Sequence, residues 1–278
     1  MLRSFDELFV PLYRRLPAQW QIKTKAAYVR ALSIGIGAWP NPLFSEDEVT
    51  ATQELSIIVP VFNAPLETER CLRSLERFAG KAEVIIIDDG STDQRASAVI
   101  RDYASRNAWI TRHNRRNSYH SGACMGGALL ATRPILCFLN SDTVVTQHSW
   151  SLCIRALRHE PLLMAVGPRT SAGLISQTDR RAALCRNVWR EEQIFWYAER
   201  LFRRYRHRAP RVVEPPVSGS ALFLRRLDWE RVGGFSECRP HYGNDSDLCR
   251  KLTACGGRVA ICDGAYVHHL GGCSAGPP

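Results

Sequence analysis

The chain has 278 residues, 45% of them hydrophobic and 23% charged, enough to bury one large core or two smaller ones and too apolar for a disordered chain. A net charge of +10 favours anionic partners: nucleic acid, anionic lipid surfaces or phosphorylated ligands. Nucleic acid is set aside because no zinc-finger spacing, RNA-recognition motif or obvious recognition helix occurs.

Residues 1–50 read as a separate helical extension. Phe5, Leu8, Phe9 and Leu12 fall at helical spacing interrupted by Pro11, and Ile22, Ala26, Val29 and Ile36 mark a second stripe. That second stripe suits packing on the main domain or lying on a membrane surface. Asp6 and Glu7 stand where the apolar core of a secretory signal would begin, so none is expected. The best candidate for a membrane span, 31–44, is short and broken by Pro40 and Pro42.

From Leu55 the pattern alternates between strands and helices. Strands are expected at Leu55–Phe62, Glu83–Ile87, Ala108–Thr111, 135–139 and Leu162–Val166. Helices are expected at Leu66–Phe78, Gln94–Arg106, Ser121–Ala131 and Ser149–His159. Such alternation implies an α/β fold with a mostly parallel sheet and crossover helices. Residues 178–211 then hold ten arginines interleaved with Trp189, Phe195, Trp196, Tyr197, Phe202 and Tyr205 at helical spacing. Two readings of this amphipathic segment stand side by side: a lipid-phosphate surface, or a solvated arginine face over an ordinary core stripe. Strands at Ala221–Leu224 and Arg258–Ile261 follow, with a helix near Asp247–Cys255 ended by Gly256-Gly257.

The ten cysteines are scattered, and Cys71, Cys137, Cys153 and Cys249 sit inside apolar-periodic segments, which reads as reduced thiols in a cytosolic protein. A zinc site is the competing reading of Cys238, His241, Cys249, Cys255, Cys262, His268, His269 and Cys273. No Cys-x-x-Cys pair occurs among them.

Three clusters carry chemistry and would converge at one sheet edge. Asn140-Ser141-Asp142 ends an apolar strand with oxygen ligands that suit Mg²⁺ or Mn²⁺ and a diphosphate; ordinary turn residues are the plain alternative. Asp88-Asp89 ends another strand, where a carboxylate accepts hydrogen bonds from a nucleobase or ribose, unless the segment only caps the next helix through Ser91, Thr92 or Asp93. Asn244-Asp245-Ser246-Asp247 opens the last helix, with His268-His269 beyond the final strand.

Taken together, these motifs make the chain resemble family 2 of the inverting glycosyltransferases, and most of all its bacterial rhamnosyltransferase-like branch. The residues that carry the likeness are Leu55–Asn63, Val84–Asp93, Phe138–Thr143, Val217–Arg225, Val232–Phe235, Asn244–Arg250 and His269–Ser274, in the family's order across 55–274. The resemblance implies a GT-A fold over 51–278, with a nucleotide-sugar half (55–145) and an acceptor half (146–278). It also implies that Pro60, Phe62, Asn63, Asp88, Asp89, Ser91, Ser141 and Gly219 line the nucleotide-sugar site. Asn140, Asp142 and His269 would hold Mg²⁺ or Mn²⁺. Asp245 would be the base, with Asp247 the next candidate for the base or for holding the acceptor.

The family's chemistry accounts for those residue types. A leaving nucleoside diphosphate gathers negative charge that a metal stabilises, and an acceptor hydroxyl of high pKa needs a carboxylate to take its proton. The resemblance thus implies transfer from a UDP- or dTDP-linked sugar to a glycan or lipid-linked glycan in surface or cell-wall polysaccharide synthesis. The expected location is the cytoplasm, at the inner face of the membrane if 178–211 binds anionic lipid. A non-catalytic GT-A-like module that binds a partner protein or anionic membrane is the alternative. A nucleotide-binding oxidoreductase does not fit, since no Gly-x-Gly-x-x-Gly follows Leu55–Phe62. Three departures from the family pattern stand out: Asn244 where an acidic residue is usual, Tyr119 and Met125 within the Asn117–Gly127 stretch where the family tends to have Gly and Asn, and a chain stopping at Pro278 where a helix often follows.

Overall fold

The computed structural model describes residues 50–185, 189–236, 238–239 and 242–272, together with Pro17 and Lys23. The helical extension expected over 1–50 therefore lies, apart from Pro17, Lys23 and Thr50, outside the described residues, as do His241 and Cys273.

Among the described residues nine strands form the sheet. The first four are β1 (Leu55–Val61), β2 (Glu83–Asp88), β3 (Ile110–His113) and β4 (Ile135–Leu139). They are followed by β5 (Thr143–Val144), β6 (Leu163–Thr170), β7 (Arg211–Val213), β8 (Ala221–Arg225) and β9 (Arg258–His269). Spatial order is β3-β2-β1-β4-β8-β6-β9, with β5 and β7 both pairing β9. β1 is buried along its whole length, and successive residues serve opposite faces. Ile57 and Val59 join one core cluster with Leu72, Leu75 and Trp150, while Ile58 joins the other with Phe138, Trp229 and Leu248.

The helices divide between the two faces. On the first lie α1 (Pro65–Phe78), α2 (Gln94–Asn107), α4 (Ser151–His159) and α6 (Glu191–Tyr205); on the second lie α3 (Tyr119–Leu130), α7 (Arg226–Arg231) and α8 (Asn244–Ala254). A short helix, α5 (Arg180–Cys185), precedes α6. The small residues of α3 let it sit close on β1 and β2, where a Cβ on Gly127 would come within 2.4 Å of Ile58 Cγ2.

The α/β class stands as expected, with one difference: the sheet is mixed. β1, β2, β3 and β4 are mutually parallel and β6 is parallel to β9, but β8 runs antiparallel to both β4 and β6. Strand direction leaves no trace in an apolar run buried on both faces, and Ala-Leu-Phe-Leu reads the same either way. The direction of β8 matters for the site. Six strands end at one edge, and β8 begins there.

Two further expectations change. The helix expected over 178–211 is α5, α6 and the edge strand β7 instead, and α6 starts anew at Glu191, where the Gln193 side chain accepts from the Arg190 amide. Its apolar stripe (Ile194, Phe195, Tyr197, Ala198, Leu201) packs into the core, while Arg200, Arg203 and Arg204 are exposed. The strand expected at Arg258–Ile261 runs on to His269, through a register shift that accommodates Asp263-Gly264. Among the described residues no helix is long and apolar enough to cross a membrane.

Gly127 supplies a test of the close helix–sheet contact. Gly127→Ala should lower the urea midpoint, because overpacking of about 1–3 kcal/mol outweighs the roughly 1 kcal/mol helix-propensity gain. The neighbouring Gly126→Ala, whose Cβ would meet nothing nearer than Arg112 Nη1 at 3.6 Å, should raise it.

Candidate active site

At the shared strand edge a cleft of about 270 Å³ opens between the ends of β1 and β4, the start of β8, the loop into α8 and the end of β9. One wall carries the Asn140–Thr143 turn. Thr143 Oγ1 donates to the Asn140 carbonyl (2.7 Å), and the Asn140 amide donates to the Ser220 carbonyl (3.1 Å), which fastens the turn to β8. β5 then pairs with the end of β9, Thr143 opposite His269, and the Leu270 amide donates to the Asp142 carbonyl (3.0 Å). This short ladder sets the buried Asp142 carboxylate against His269, with Oδ1 3.0 Å from Nε2.

The chemistry of that pair fits a divalent cation. His269 Nδ1 lies 3.1 Å from the Ala172 carbonyl, an acceptor only, so Nδ1 carries a proton. In the neutral ring the Nε2 lone pair then faces a carboxylate oxygen, an arrangement that calls for positive charge. Ser171 fixes the ring's backbone, accepting from the His269 amide and donating to its carbonyl, both at 2.8 Å. Among the described residues no group of three or more His, Cys, Asp or Glu side chains converges, neither here nor in the cysteine-rich tail. Asp142 and His269 would thus leave most positions to substrate oxygens and water, as Mg²⁺ and Mn²⁺ sites on diphosphates do. Asn140, expected as a third ligand, turns its carboxamide oxygen to His120 Nε2 (3.2 Å) and its nitrogen to His269 Nε2 (3.4 Å).

The opposite wall holds Asp245. Gly243, at φ 74°, is the residue before α8, and the Asp245 carboxylate reaches back to the start of β8. Its Oδ2 accepts from the Gly219 amide (2.9 Å) and its Oδ1 from the Ser246 amide (2.7 Å), which fixes its orientation at the cleft surface. Asp247, the second expected base, points along the helix to Lys251 Nζ (3.2 Å) and does not line the cleft.

Of the residues expected around a nucleotide sugar, Pro60, Phe62, Asp89 and Gly219 line the cleft. Asn63, Asp88, Ser91 and Ser141 do not; the first three brace the loops behind it. Asn63, itself in the left-handed region at φ 57°, accepts through Oδ1 from the Thr92 and Asp93 amides (both 2.9 Å), and its own amide donates to Ser91 Oγ (2.9 Å). Asp88 accepts from the Ser91 amide (3.0 Å), from Ser97 Oγ and from His113 Nδ1 (3.0 Å). Burial alone would raise this carboxyl, but those hydrogen bonds outweigh it and hold it below the ordinary aspartate value. Ser141 is buried beneath the turn. Asp89 accepts from Asn114 Nδ2 (2.7 Å) and from both the amide (3.0 Å) and hydroxyl (2.6 Å) of Ser118, which ties the loop before α3 to the end of β2. Gly90 permits that approach, since a Cβ there would lie 2.9 Å from the backbone of Arg116 and Asn117.

Sequence reasoning missed His120 and Tyr242, both on the cleft surface. A histidine one residue from Ser121-Gly122-Ala123 stands out among small side chains, which is the signal that would have marked it. Tyr119 beside it adopts φ 63°, held by the Asn117 side chain (2.7 Å to the Tyr119 amide). Cys71 lies under the turn, 3.8 Å from the Asn140 carbonyl; burial pushes its thiol up to about 12, so it packs rather than reacts.

A mixed sheet with helices on both faces and a cleft at its strand-end edge is the architecture of the GT-A glycosyltransferases, and solved structures of that class match it. One is the mannosyltransferase PcManGT from Pyrobaculum calidifontis in complex with GDP-Man and Mn²⁺ (TM-score 0.57, 17% identity, 90% of this chain and 64% of that one). Others are GalNAc-T7 with UDP, GalNAc and Mn²⁺ (0.58, 15%, 77% and 43%) and S. aureus TarS 1–349 (0.56, 16%, 78% and 60%). Residues 56–232 match the family described as Glycosyl transferase family 2, and the chain belongs to that family. Curated relatives include the 4,4'-diaponeurosporenoate glycosyltransferase of Staphylococcus haemolyticus (strain JCSC1435), 28% identical over 126 residues, 44% of this chain and 33% of that protein. The uncharacterized glycosyltransferase YibD of Escherichia coli (strain K12) is 32% identical over 98 residues, 35% of this chain and 28% of that protein. The chain thus spans about a third of the length of the curated relatives it matches.

Asp88 gives this subsection its test. Its folded value lies below the unfolded one of about 3.9, so its contribution is fully present above pH of about 4 and lost as pH falls through the folded value. Asp88→Asn should be less stable than wild type at neutral pH, and the gap between the two should close on acidification, measured by urea unfolding across the pH range.

Proposed function

We propose that the protein is a metal-dependent inverting glycosyltransferase. It would move a sugar from a UDP- or dTDP-linked donor to a hydroxyl of a glycan or lipid-linked glycan acceptor in surface or cell-wall polysaccharide synthesis. The observation that carries this reading is the placement of Asp142 with His269 on one wall of a single cleft and Asp245 on the other. Residues 55–145 would serve as the nucleotide-sugar half and 146–278 as the acceptor half. The whole motif set across 55–274 most resembles the rhamnosyltransferase-like branch. The Mn²⁺ and nucleotide held by two structural neighbours, PcManGT and GalNAc-T7, support a nucleotide-sugar donor and a divalent cation.

In this mechanism Pro60, Phe62 and Asp89 bound the nucleoside end of the cleft, and Asp142 and His269 would hold Mg²⁺ or Mn²⁺. When bound, that cation would offset the charge gathering on the leaving diphosphate. Asp245 takes the proton. Each of its oxygens accepts one backbone amide and keeps further lone-pair capacity, so an acceptor hydroxyl has a fixed carboxylate to donate to. The acceptor oxygen attacks the anomeric carbon as the bond to the diphosphate oxygen breaks. One displacement of this kind inverts the carbon. Neighbouring Gly219 supports the choice of Asp245, because its amide sets the carboxylate's direction.

The exposed arginines of α6 and the turn after it, Arg200, Arg203, Arg204, Arg206 and Arg208, offer a cationic surface for an anionic membrane face that would carry a lipid-linked acceptor. The aromatic stripe beneath them is committed to the core, so this attachment would rest on charge and weaken with salt.

Asp245→Asn should lower turnover of a sugar nucleotide with Mn²⁺ by about 10²–10⁴-fold, whereas Asp247→Asn should stay near wild type. Equal rates for wild type and Asp245→Asn would remove the enzyme and leave the non-catalytic module. Asp142→Asn and His269→Ala should each abolish the Mn²⁺-dependent rise in melting temperature produced by UDP or dTDP.

A further inference from the structure

A chain of hydrogen bonds crosses the cleft from the start of α8 to His269, and its proton positions are fixed at both ends. The Asp245 amide donates to Asn244 Oδ1 (2.7 Å), which sets the Asn244 carboxamide the one way round. Its Nδ2 then donates to Ser121 Oγ (3.2 Å), whose own proton goes to the Arg239 carbonyl (2.7 Å), and to His120 Nδ1 (2.8 Å). His120 Nδ1 is therefore an acceptor, and in the neutral ring the proton sits on Nε2. That proton points at Asn140 Oδ1, 3.2 Å away. The Asn140 NH₂ group is left facing His269 Nε2 (3.4 Å) and the cleft. Cys124 Sγ lies 3.8 Å from both ring nitrogens and favours neither.

We propose that His120 is a positioning residue for donor recognition, fixing the Asn140 carboxamide with its oxygen turned inward and its N–H groups toward the diphosphate. The proposal rests on the glycosyl-transfer reading for the identity of that ligand. An N–H donor beside the Asp142–His269 pair suits anionic phosphate oxygens, where an inverted amide or a carboxylate would oppose them. Asn244 gains a role in the same stroke. As a neutral amide it can donate to His120 Nδ1, which a carboxylate at 244 could not do.

The test uses the full chain and variants that separate the two ends of the imidazole. His120→Gln keeps a donor at the position of Nε2, His120→Asn keeps only an acceptor at the position of Nδ1, and His120→Phe keeps the ring packed edge-on to Phe235, 6.0 Å between centroids, with neither. In the presence of Mn²⁺, affinity for UDP, dTDP or GDP by calorimetry should fall about tenfold in His120→Asn and His120→Phe, the loss of one hydrogen bond to an anion, and be largely restored in His120→Gln. Asn140→Asp should weaken nucleotide binding, whereas tighter binding of Mn²⁺ alone by that variant would overturn the donor role of Asn140. Nitrogen NMR of the labelled histidines, with the His120 signals identified by their loss in His120→Phe, should give an acceptor-type Nδ1 and a protonated Nε2; the opposite tautomer overturns the proposal. Nucleotide affinity unaltered in His120→Phe removes the role of His120 alone. A wild-type chain that binds no nucleotide with Mn²⁺ removes the glycosyl-transfer reading itself, while the tautomer result still reports on His120.

Discussion

Asp142 Oδ1 and His269 Nε2, a carboxylate oxygen and a ring nitrogen, are held 3.0 Å apart by paired backbone. The β5–β9 ladder fixes one, and Ser171 with the Ala172 carbonyl fixes the other. A proton on the imidazole or a cation bound beside it supplies the positive charge that suits this juxtaposition, and the surrounding strands hold both groups in place. β9 has to reach His269, so it cannot stop at Ile261. The turn after β4 has to be clamped to β8, so the Asn140 amide is spent on Ser220.

Around that wall stands a set of buried and half-buried polar residues whose work is to shape loops. Asp88 collects three donors, Asn63 holds two amides of the next loop, and Asp89 draws in the segment that leads to α3. Each is a carboxylate or amide at the end of a strand, and each is satisfied within the protein. Unsatisfied, any of them would cost more than an exposed polar group, so they act together to keep the strand-end loops in one arrangement.

Much of this was legible in the sequence. β1, β2, β4, α1 and α2 follow from apolar runs and helical spacing, and the family's motif order places Asp142, Asp245 and His269 together. What the sequence conceals is direction and hydrogen-bond destination. The antiparallel sense of β8 is invisible in a fully buried apolar run, and β5 and β7 are too short to carry a pattern. The Asp88-Asp89 pair looks like two equivalent ligands, yet only the second lines the cleft. Asn63 and Ser91 look equally exposed to a substrate, but their partners lie across a loop gap that no local spacing reveals. His120 was overlooked because a single histidine among small residues has no periodicity; its meaning comes from Asn244, more than a hundred residues away.

The antiparallel insertion of β8 also sets how the two walls of the cleft are spaced. They meet through the β4–β8 ladder, five residue pairs from Ile135 with Arg225 to Leu139 with Ala221. Sliding one strand along the other is permitted only in whole residues, and a slip of one, about 3.4 Å, would also turn every side chain to the wrong face. The distance between the Asp142–His269 wall and the Asp245 wall is therefore quantised by sheet register and closed to gradual adjustment. Any variation in the width of the cleft falls to its rim, where Tyr119 and Tyr242 stand exposed, while the floor keeps a single gauge.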